Sequence, residues 1–481
     1  MSETQVLLGR IVALRQRLEQ ARASAHEAGA AAAGCLEGPA RVTALDRRAA
    51  QGDESDHQLE AALRPLAPAA SGPSLPAQLT ARARRALERG RDLFQALREL
   101  SDEPTVQDAG NVAAALYRET ASLTDAALRL VQALPDSPGV QLQQCEGIEA
   151  LLTIVAGRVA QLAATTRRQR VEAERLALLT SFLTHLEAGT AVDLGPVTAL
   201  SGTLLEEAAG CAPLRFLHPP SPAVADAAWV ARAVACHGLT VAQVIARVVR
   251  HEPDLKHRAQ EAVTAALLHD AGMLRVAPAL LTHPGLLDDA GRRALEAHCR
   301  AGAELLGRLP DAAGLVEAAA HHHERADGTG YPDGLRGEQV MALTRLLTVC
   351  DVYAAQCCAR PHRPARETRT ALADTLLLAE SGAVDRHFAE RLLQLAFYPV
   401  GAVVEMADGA VGVVVATPAG RRDLNAPARP VVALLTDGHS RFLPAPRHID
   451  LAQGDSHSIV RTLTPAERHR VLGTRYPEWA A

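Results

Sequence analysis

The spacing of apolar residues divides the chain into a long helical part and a short β part. Through residues 1–190 apolar side chains recur every three or four positions, as from Leu7 to Leu18, and this spacing is typical of amphipathic helices. The same spacing continues from about residue 223 to residue 396. After Phe397 it gives way to runs of β-branched residues, which predict strands. The sequence therefore predicts a mainly α protein with a small C-terminal β module.

An apolar stripe marks the last helix of the N-terminal region. This helix is expected from about residue 144 to residue 186, and its stripe consists of Leu152, Val155, Val159 and Leu162. Such a stripe is typical of a stalk, a helical bundle or a dimerising coil. We therefore expect a helical region with a regulatory or oligomerising role, and a homo-oligomer formed through these helices.

Clusters of proline, glycine and serine give the expected domain borders. The clearest is Pro219-Pro220-Ser221-Pro222, which ends a stretch of weak helical patterning. The expected segments are a helical regulatory or oligomerisation region at 1–190, a linker at 191–225, a helical domain at 226–396, a β module at 397–460 and a C-terminal tail at 461–481.

Two short turns organise the predicted β module. Asp408-Gly409 and Asp437-Gly438 each separate two runs of β-branched or aromatic residues. An Asp-Gly pair between such runs is a strong signal for a β-hairpin. With about 60 residues available, we expect the two hairpins to form a small barrel-like module.

Composition excludes several classes of protein. With 481 residues the chain has room for several domains, and its formal net charge of −5 argues against an extended nucleic-acid surface. We find neither a secretory signal nor an apolar run of the roughly 18 residues that a spanning helix needs. The eight cysteines form no CxxC pair and are expected to be reduced packing residues. These features indicate a cytoplasmic protein of bacterial type, without a membrane or a nucleic-acid polymer as partner.

The candidate chemistry lies where histidines are crowded. Nine of the 19 histidines fall between His237 and His323. Five histidines and two aspartates stand at positions that face the interior of successive helices: His237, His269, Asp270, His298, His322, His323 and Asp351. One buried histidine is usually a satisfied core residue, but seven such groups are hard to satisfy by hydrogen bonds alone. They exceed one metal site and indicate two metal ions with a bridging carboxylate.

The pattern also predicts local structure around these residues. We expect a helix at 254–269 with Gly272 as its C-terminal cap, and we expect His237 just before the helix that contains Val241. His298 shares a face with apolar neighbours on the next helix, and Asp351 follows Leu347 by one turn.

Several motifs resemble the HD-GYP family of bacterial phosphohydrolases over roughly residues 225–370. They are His269-Asp270-Ala271-Gly272, His283-Pro284-Gly285, His298 with Gly302, the block HHHERADGTGYP at 321–332, Asp351-Val352-Tyr353 and Arg360-Pro361-His362-Arg363. The tail from Tyr398 to Gly401 resembles the β module that follows some HD-GYP domains. This resemblance implies an all-helical domain that hydrolyses cyclic di-GMP, or a related cyclic dinucleotide, in bacterial signal transduction.

The resemblance also implies a role for each candidate residue. One metal would take His237, His269 and Asp351, the other would take His298, His322 and His323, and Asp270 would bridge them. His269 and Asp270 are the catalytic residues by this resemblance. Ala233 stands where the three-metal members have a glutamate, so we expect two divalent ions, iron or manganese.

Substrate contacts are expected outside the metal ligands. Arg360 and Arg363 fall at the family's phosphate-binding positions and could form planar bidentate contacts. Tyr331 is expected to stack on guanine, to contact a signalling partner through the Gly-Tyr-Pro loop, or to anchor that loop.

The chain departs from the family pattern at two positions. Met273 replaces the lysine of the His-Asp-x-Gly-Lys motif, and Ala354 replaces a second aspartate after Asp351. Loss of a charged phosphate contact would slow hydrolysis by roughly 10- to 150-fold. Arg275 is a candidate to restore the charge.

Three functions follow from this sequence. The first is a dinuclear phosphodiesterase that converts cyclic di-GMP to pGpG or GMP and is slowed by Met273. The second is a weak or inactive cyclic di-GMP receptor or protein-interaction module. The third is a hydrolase of the same kind that acts on another nucleotide.

Overall fold

The computed structural model describes residues 75–108, 112–132, 138–210, 212–217, 219, 225–283, 285–358, 365–366, 368–417, 429–453, 457–463 and 465–472. The chain divides into two compact units between Gln169 and Arg170. The amphipathic helix predicted from Leu7 to Leu18 lies outside the described residues.

The first unit is helical. Its helices are α1 (Leu75–Ser101), α2 (Pro104–Gln107), α3 (Val112–Gln132) and α4 (Pro138–Glu187), and the border between the two units falls inside α4. The apolar stripe of α4 is buried throughout, as predicted: Leu152, Val155, Val159 and Leu162. Arg82 of α1 donates two hydrogen bonds to the carboxylate of Glu149, at 2.7 and 2.8 Å, and so ties α1 to α4.

The second unit begins with a helical domain. Its helices are α5 (Gly195–Ala209), α6 (Ala227–Val249), α7 (Ala259–Leu268), α8 (Pro278–Leu281), α9 (Asp289–Glu296), α10 (His298–Leu306), α11 (Ala313–His321), α12 (Ala342–Cys357), α13 (Thr368–Glu380) and α14 (Arg386–Ala396). One large apolar core joins α5, α6, α7, α11 and α12. The six cysteines among the described residues form no disulfide and are buried, which agrees with a packing role.

Helix α6 is the central element of this domain, because most of its side chains are buried. It crosses α7 at Gly238, where an added Cβ would lie only 2.6 Å from the carbonyl oxygen of Leu267. Only a residue without a side chain allows the two backbones to come so close. The crossing brings His237, the neighbour of this glycine, beside the end of α7.

Two local predictions around the histidines were wrong. The helix expected at 254–269 begins only at Ala259, after a 3₁₀ turn, and Gly272 lies in a second 3₁₀ turn, Ala271–Arg275, instead of capping the helix. His237 lies inside α6, not before it. Gly272 and the neighbour of His237, Gly238, both lie at close backbone contacts, which sequence spacing does not show.

The β module is an antiparallel sheet. Its strands are β1 (Val403–Met406), β2 (Val411–Ala416), β3 (Val431–Thr436), β4 (Phe442–Asp450) and β5 (Ile459–Thr462), in the order β4-β3-β2-β1-β5. Both predicted hairpins are present, β1 with β2 and β3 with β4.

Two elements of the module escaped prediction. Strand β5 pairs with β1, and helix α15 (Pro465–Leu472) follows it. Leu463 and Leu472 are buried with Val403 and Leu435 on one face of the sheet, while Tyr398 belongs to the core on the other face. Both faces of the sheet are therefore covered.

Two helical stretches are long and apolar enough to cross a membrane by length and composition alone, Cys145–Glu187 and Ala227–Val249. The second is α6, in which 67% of the most apolar window is buried inside the protein. Length and composition are weak grounds for a membrane span, since the core helix of a soluble domain has both.

The close crossing at Gly238 gives a stability prediction. Gly238→Ala should lower the free energy of unfolding of the helical domain by about 1–3 kcal/mol, because the added methyl group overlaps backbone. Gly202→Ala is the matched control within α5, since its new Cβ meets nothing closer than 3.8 Å and should stabilise the helix by about 0.5–1 kcal/mol. Denaturant titration measures both values, and equal effects would contradict the role of Gly238.

Candidate metal centre

The seven predicted ligands come from five separate parts of the domain. His237 belongs to α6, His269 and Asp270 follow α7, His298 begins α10, His322 and His323 follow α11, and Asp351 belongs to α12. The structure brings all seven together in two groups, His237 with His269 and Asp351, and Asp270 with His298, His322 and His323. Within each group the potential ligand atoms lie within 4.8 Å of one another.

The carboxylate of Asp270 lies between the two groups. Its Oδ1 is 3.5 Å from Nε2 of His298 and 3.4 Å from Nε2 of His322. Its Oδ2 is 3.5 Å from Nε2 of His269 and 3.8 Å from Nε2 of His237. Each oxygen therefore faces a different group, which is the arrangement that a bridging carboxylate requires.

Backbone carbonyl groups orient three of the histidine rings. In each case Nδ1–H donates to the carbonyl oxygen three residues earlier, which leaves the Nε2 lone pair directed at the cluster. The pairs are His269 with Ala266 at 2.9 Å, His298 with Leu295 at 2.6 Å, and His322 with Ala319 at 3.0 Å. The ends of the helices thus select the tautomer that can bind a metal ion.

Burial keeps most of these rings neutral. It lowers the pKa of His269 to about 4, and it also lowers the pKa values of His298 and His323. His322 differs: burial would lower its pKa, but the neighbouring carboxylate of Asp270 raises it. A proton at His322 would therefore compete with a cation as the pH falls.

The two carboxylates remain ionised. Burial alone would raise the pKa of Asp270, yet the neighbouring histidines, His269 first, hold it well below its usual value. Burial alone would also raise the pKa of Asp351, but a 2.7 Å hydrogen bond from Nε2 of His237 keeps this pKa low. Neutral imidazoles and ionised carboxylates are the forms that bind divalent cations.

Two orphan atoms show that the cluster fits a cation. Nε2 of His269 and Oδ1 of Asp270 are buried without a hydrogen-bond partner among the described residues. Each unsatisfied buried polar atom of this kind costs about 1–3 kcal/mol. A divalent ion would supply the missing partner, and a mixed set of imidazole and carboxylate ligands suits a transition metal.

A glycine contact explains why the His-Asp motif ends in glycine. A Cβ on Gly272 would lie 1.9 Å from the carbonyl oxygen of His298 and 2.4 Å from the amide nitrogen of Gly302. The turn that follows Asp270 therefore rests directly on the backbone of α10. This contact sets the position of Asp270 relative to His298.

Glu324 fastens the Gly-Tyr-Pro loop to the ligand histidines. The sequence predicts no role for this residue. Its buried carboxylate accepts hydrogen bonds from the amides of Asp333 at 2.7 Å and Leu335 at 3.0 Å. The amide of Tyr331 donates to the carbonyl oxygen of His323, and the two rings lie 4.9 Å apart. The sequence shows Glu324 only as an acidic residue directly after the candidate ligands His322 and His323, and it gives no sign of the anchoring contacts.

The first histidine of the triple run lies outside both groups. Nε2 of His321 is 3.2 Å from the carboxylate of Asp333, and its Nδ1 is 3.4 Å from Glu317. The side chain of His321 therefore supports the loop and the helix that surround the cluster.

The departures from the family pattern fall on packing positions. Met273 is half-buried against the apolar core, and Ala354 is fully buried in the same core. Arg275 does not supply the missing charge in this structure, because its guanidinium pairs with Glu187 at 3.2 Å and Glu304 at 2.8 Å. Hence Met273 leaves no cation at the motif position.

Two of the predicted substrate contacts, Arg360 and Arg363, lie outside the described residues. The third, Tyr331, is half-buried over His323, and burial raises the pKa of its hydroxyl. This contact favours the loop-anchoring role among the three roles that the sequence left open.

Removal of the Glu324 carboxylate should loosen the loop. Glu324→Ala leaves two amides without an acceptor, and we expect a loss of at least about 2 kcal/mol in unfolding free energy. Hydrogen exchange at the amides of Asp333 and Leu335 should also become faster. Glu338→Ala, at an exposed position of the same loop, is the control and should change the free energy by no more than about 0.5 kcal/mol. Similar exchange rates in both variants would refute the anchoring role.

Two family models match parts of this chain. A family model described as "HD domain" matches residues 227–387, and a second, described as "KOW domain associated with HD domain", matches residues 403–470. The 3'3'-cGAMP-specific phosphodiesterase 3 of Vibrio cholerae is 43% identical over 109 residues, which cover 23% of this chain and 24% of the relative.

Two further relatives carry cyclic di-GMP in their names. The cyclic di-GMP phosphodiesterase PA4108 of Pseudomonas aeruginosa is 39% identical over 158 residues, 32% of this chain and 37% of the relative. The cyclic di-GMP phosphodiesterase response regulator RpfG of Xanthomonas campestris is 40% identical over 113 residues, 23% of this chain and 29% of the relative. The chain thus spans between about a quarter and just over a third of the length of these relatives.

A solved structure, Bd1817, a HDG"Y"P protein from Bdellovibrio bacteriovorus, aligns with a TM-score of 0.32 and 13% identity over 57% of this chain and 78% of the other. The likeness rests instead on the matched sequence models and on the relatives above. Residues 227–387 therefore match the HD domain family, and residues 403–470 match the KOW domain associated with HD domains.

Proposed function

We propose that this chain is a metal-dependent phosphodiesterase that hydrolyses cyclic di-GMP to pGpG or GMP in bacterial second-messenger signalling. The observation that carries the proposal is the buried carboxylate of Asp270, whose two oxygens face two separate groups of histidines. The names of the relatives, cyclic di-GMP and 3'3'-cGAMP phosphodiesterases, support the substrate class.

The proposal includes two divalent ions, iron or manganese. One would be held by His237, His269 and Asp351, the other by the second histidine group, and Asp270 would be shared. Such ions supply positive charge for the phosphate oxygens and a source of hydroxide near neutral pH. The donor set supports iron or manganese, because imidazole and carboxylate occur together.

The protein's own groups orient this chemistry. His269 and Asp270 are the proposed catalytic residues. The carbonyl group of Ala266 orients the ring of His269, and the turn at Gly272 positions Asp270. The Tyr331 ring covers His323 and limits the access of water to that ligand. Arg360 and Arg363 are proposed, from the family resemblance, to bind the substrate phosphates.

The cellular location, the roles of the other regions and the domain borders belong to the same proposal. We infer a cytoplasmic location, supported by the burial of α6 in the domain core. We propose a regulatory or oligomerising role for the N-terminal helices, and a signalling partner that binds the Gly-Tyr-Pro loop. The domain borders predicted from the sequence, with the helical domain at 226–396, serve as the working division of the chain.

A second function is favoured by one observation. Met273 packs against the core and Arg275 is paired with Glu187 and Glu304, so neither of these residues supplies a cation at the motif lysine position. A receptor that binds a cyclic dinucleotide without hydrolysing it would tolerate this loss. An HD hydrolase for a different nucleotide is the remaining alternative, and a panel of cyclic dinucleotides and nucleotide monoesters separates it from the first.

Metal content and turnover test the proposal together. Protein purified without oxygen and loaded with iron or manganese should contain about two ions per chain and should convert cyclic di-GMP to pGpG or GMP. Asp270→Ala should lose most of both the metal and the activity, because both groups share this carboxylate. His321→Ala is the matched control and should keep both, since His321 faces Asp333. Two bound ions without any turnover would favour the receptor.

A lysine at position 273 should raise the rate. Met273→Lys adds a charged donor beside Asp270, and we expect kcat/KM for cyclic di-GMP to increase by roughly 10- to 150-fold. Met273→Leu is the control, because it keeps the apolar contact and should leave the rate unchanged. A folded Met273→Lys protein with wild-type kcat/KM would show that Met273 does not limit hydrolysis.

A further inference from the structure

Helix α11 ends directly at the ligands, which leaves one backbone carbonyl group without its helical partner. His322 caps the C-terminal end of this helix. If the helix continued, the amide of Ala326 would donate to the carbonyl oxygen of His322. That amide donates instead to the carbonyl oxygen of Ala383, at 3.1 Å. Because His322 is fully buried, its carbonyl group needs another donor.

Thr348 supplies this donor from a different helix. Its hydroxyl oxygen is 2.9 Å from the carbonyl oxygen of His322, and it is also 2.9 Å from the carbonyl oxygen of Thr344, one turn earlier on α12. A hydroxyl group carries one proton, which these two acceptors share. Because Thr348 is buried, its side chain joins α12 to the end of α11 away from bulk water.

The same helix carries a candidate ligand of the other group. Asp351 lies three residues after Thr348 on α12, about 4.5 Å further along the helix axis. Asp351 belongs to the group that contains His269, whereas His322 belongs to the group that contains Asp270. The bond from Thr348 to the backbone of His322 therefore links the two groups without using a ligand side chain.

A second pair of contacts holds α12 against α11 one turn away from the ligands. The hydroxyl group of Thr344 donates to the carboxylate of Glu317 on α11. The amide of Met341, at the beginning of α12, donates to the same carboxylate at 3.5 Å. Loss of the Thr348 hydroxyl would thus leave the two helices packed and would release only the end of α11, where His322 lies.

We propose that Thr348 is a positioning residue of the metal centre, which holds the backbone of His322 so that this histidine can bind its ion. The carbonyl oxygen of Ala319 orients the ring of His322, and the bond from Thr348 fixes the backbone that carries this ring. Together the two bonds restrict the direction of Nε2, the atom that lies 3.4 Å from the carboxylate of Asp270. The inference deepens the proposed function and rests on its two ions.

Manganese binding tests this inference without turnover. Thr348→Val removes the hydroxyl group and keeps the shape of the side chain. The full chain is freed of metal with EDTA, dialysed without oxygen and titrated with Mn²⁺, and the free ion is measured by electron paramagnetic resonance. The variant should bind one ion about 10- to 100-fold more weakly than the wild type, the usual effect of losing a contact behind a metal ligand. The affinity for the other ion should change much less, because α12 still carries Asp351.

The resonance of bound Mn²⁺ gives a second readout. Two Mn²⁺ ions that share the carboxylate of Asp270 should give a spin-coupled signal in the wild type. At the Mn²⁺ concentration that fills both sites of the wild type, Thr348→Val should give the signal of single, uncoupled ions. A general loss of stability would not produce this change in a protein that is still folded.

A rescue variant and a control separate positioning from packing. Thr348→Ser restores the hydroxyl group and should bind both ions within about threefold of the wild type. Thr375→Val is the matched control: Thr375 is buried in the same domain, donates to the carbonyl oxygen of Ala371 on its own helix at 2.8 Å, and accepts a 3.4 Å bond from Gln356. It should lower the thermal stability about as much as Thr348→Val and leave the affinity for Mn²⁺ unchanged.

Several results would overturn the inference. They are affinities of Thr348→Val within about twofold of the wild type, an equal loss at both ions, the same loss in Thr375→Val, and a serine variant as weak as the valine variant. Thermal unfolding checks that each variant is folded, and Thr348→Ala replaces Thr348→Val if the latter is not.

Turnover of cyclic di-GMP in the same samples separates this inference from the proposed function. A wild type that binds two ions and needs Thr348 for one of them, but hydrolyses nothing, would refute the phosphodiesterase and leave the inference standing. An active wild type together with a Thr348→Val variant of normal Mn²⁺ affinity would have the opposite meaning. A wild type that binds no ion would refute both.

Discussion

The helical domain is organised around a buried carboxylate that faces histidines on both sides. Asp270 is only 8% exposed, and its charge is held in the interior by imidazoles from separate helices. A buried charge without such partners would be expelled or neutralised. The helices must therefore bring their histidines to this point, and the backbone carbonyls at their ends turn each ring toward it. The position of Asp270 thus limits how the core can pack.

Close backbone contacts are the second condition for this arrangement. Helix α6 approaches α7 at Gly238, and the turn after Asp270 rests on α10 at Gly272. Gly238 is next to His237, and Gly272 is two residues after Asp270. The geometry of the site therefore depends on these two residues having no side chain. The Gly-Tyr-Pro loop adds a cover on one side, fastened by Glu324.

The helical class, the two hairpins and the residues that come together could be predicted from the sequence. Helical spacing, β-branched runs with Asp-Gly turns, and motif residues are all visible in the sequence itself. It was insufficient for the turn at Gly272, the interior position of His237 and the anchoring by Glu324. These features depend on contacts between segments far apart in the chain, which hydrophobic periodicity does not encode. Strand β5 was missed because it is only four residues long and none of its residues is buried.

The ligand set argues for a metal enzyme more strongly than Met273 argues against one. A receptor for an anionic nucleotide has no use for ionised Asp270 and Asp351, which would repel phosphate. Orphan atoms at His269 and Asp270 would likewise destabilise a fold that never bound a cation. Loss of one lysine removes one phosphate contact. The buried carboxylates, in contrast, are compatible with an anionic substrate only if positive charge is added between them and the substrate.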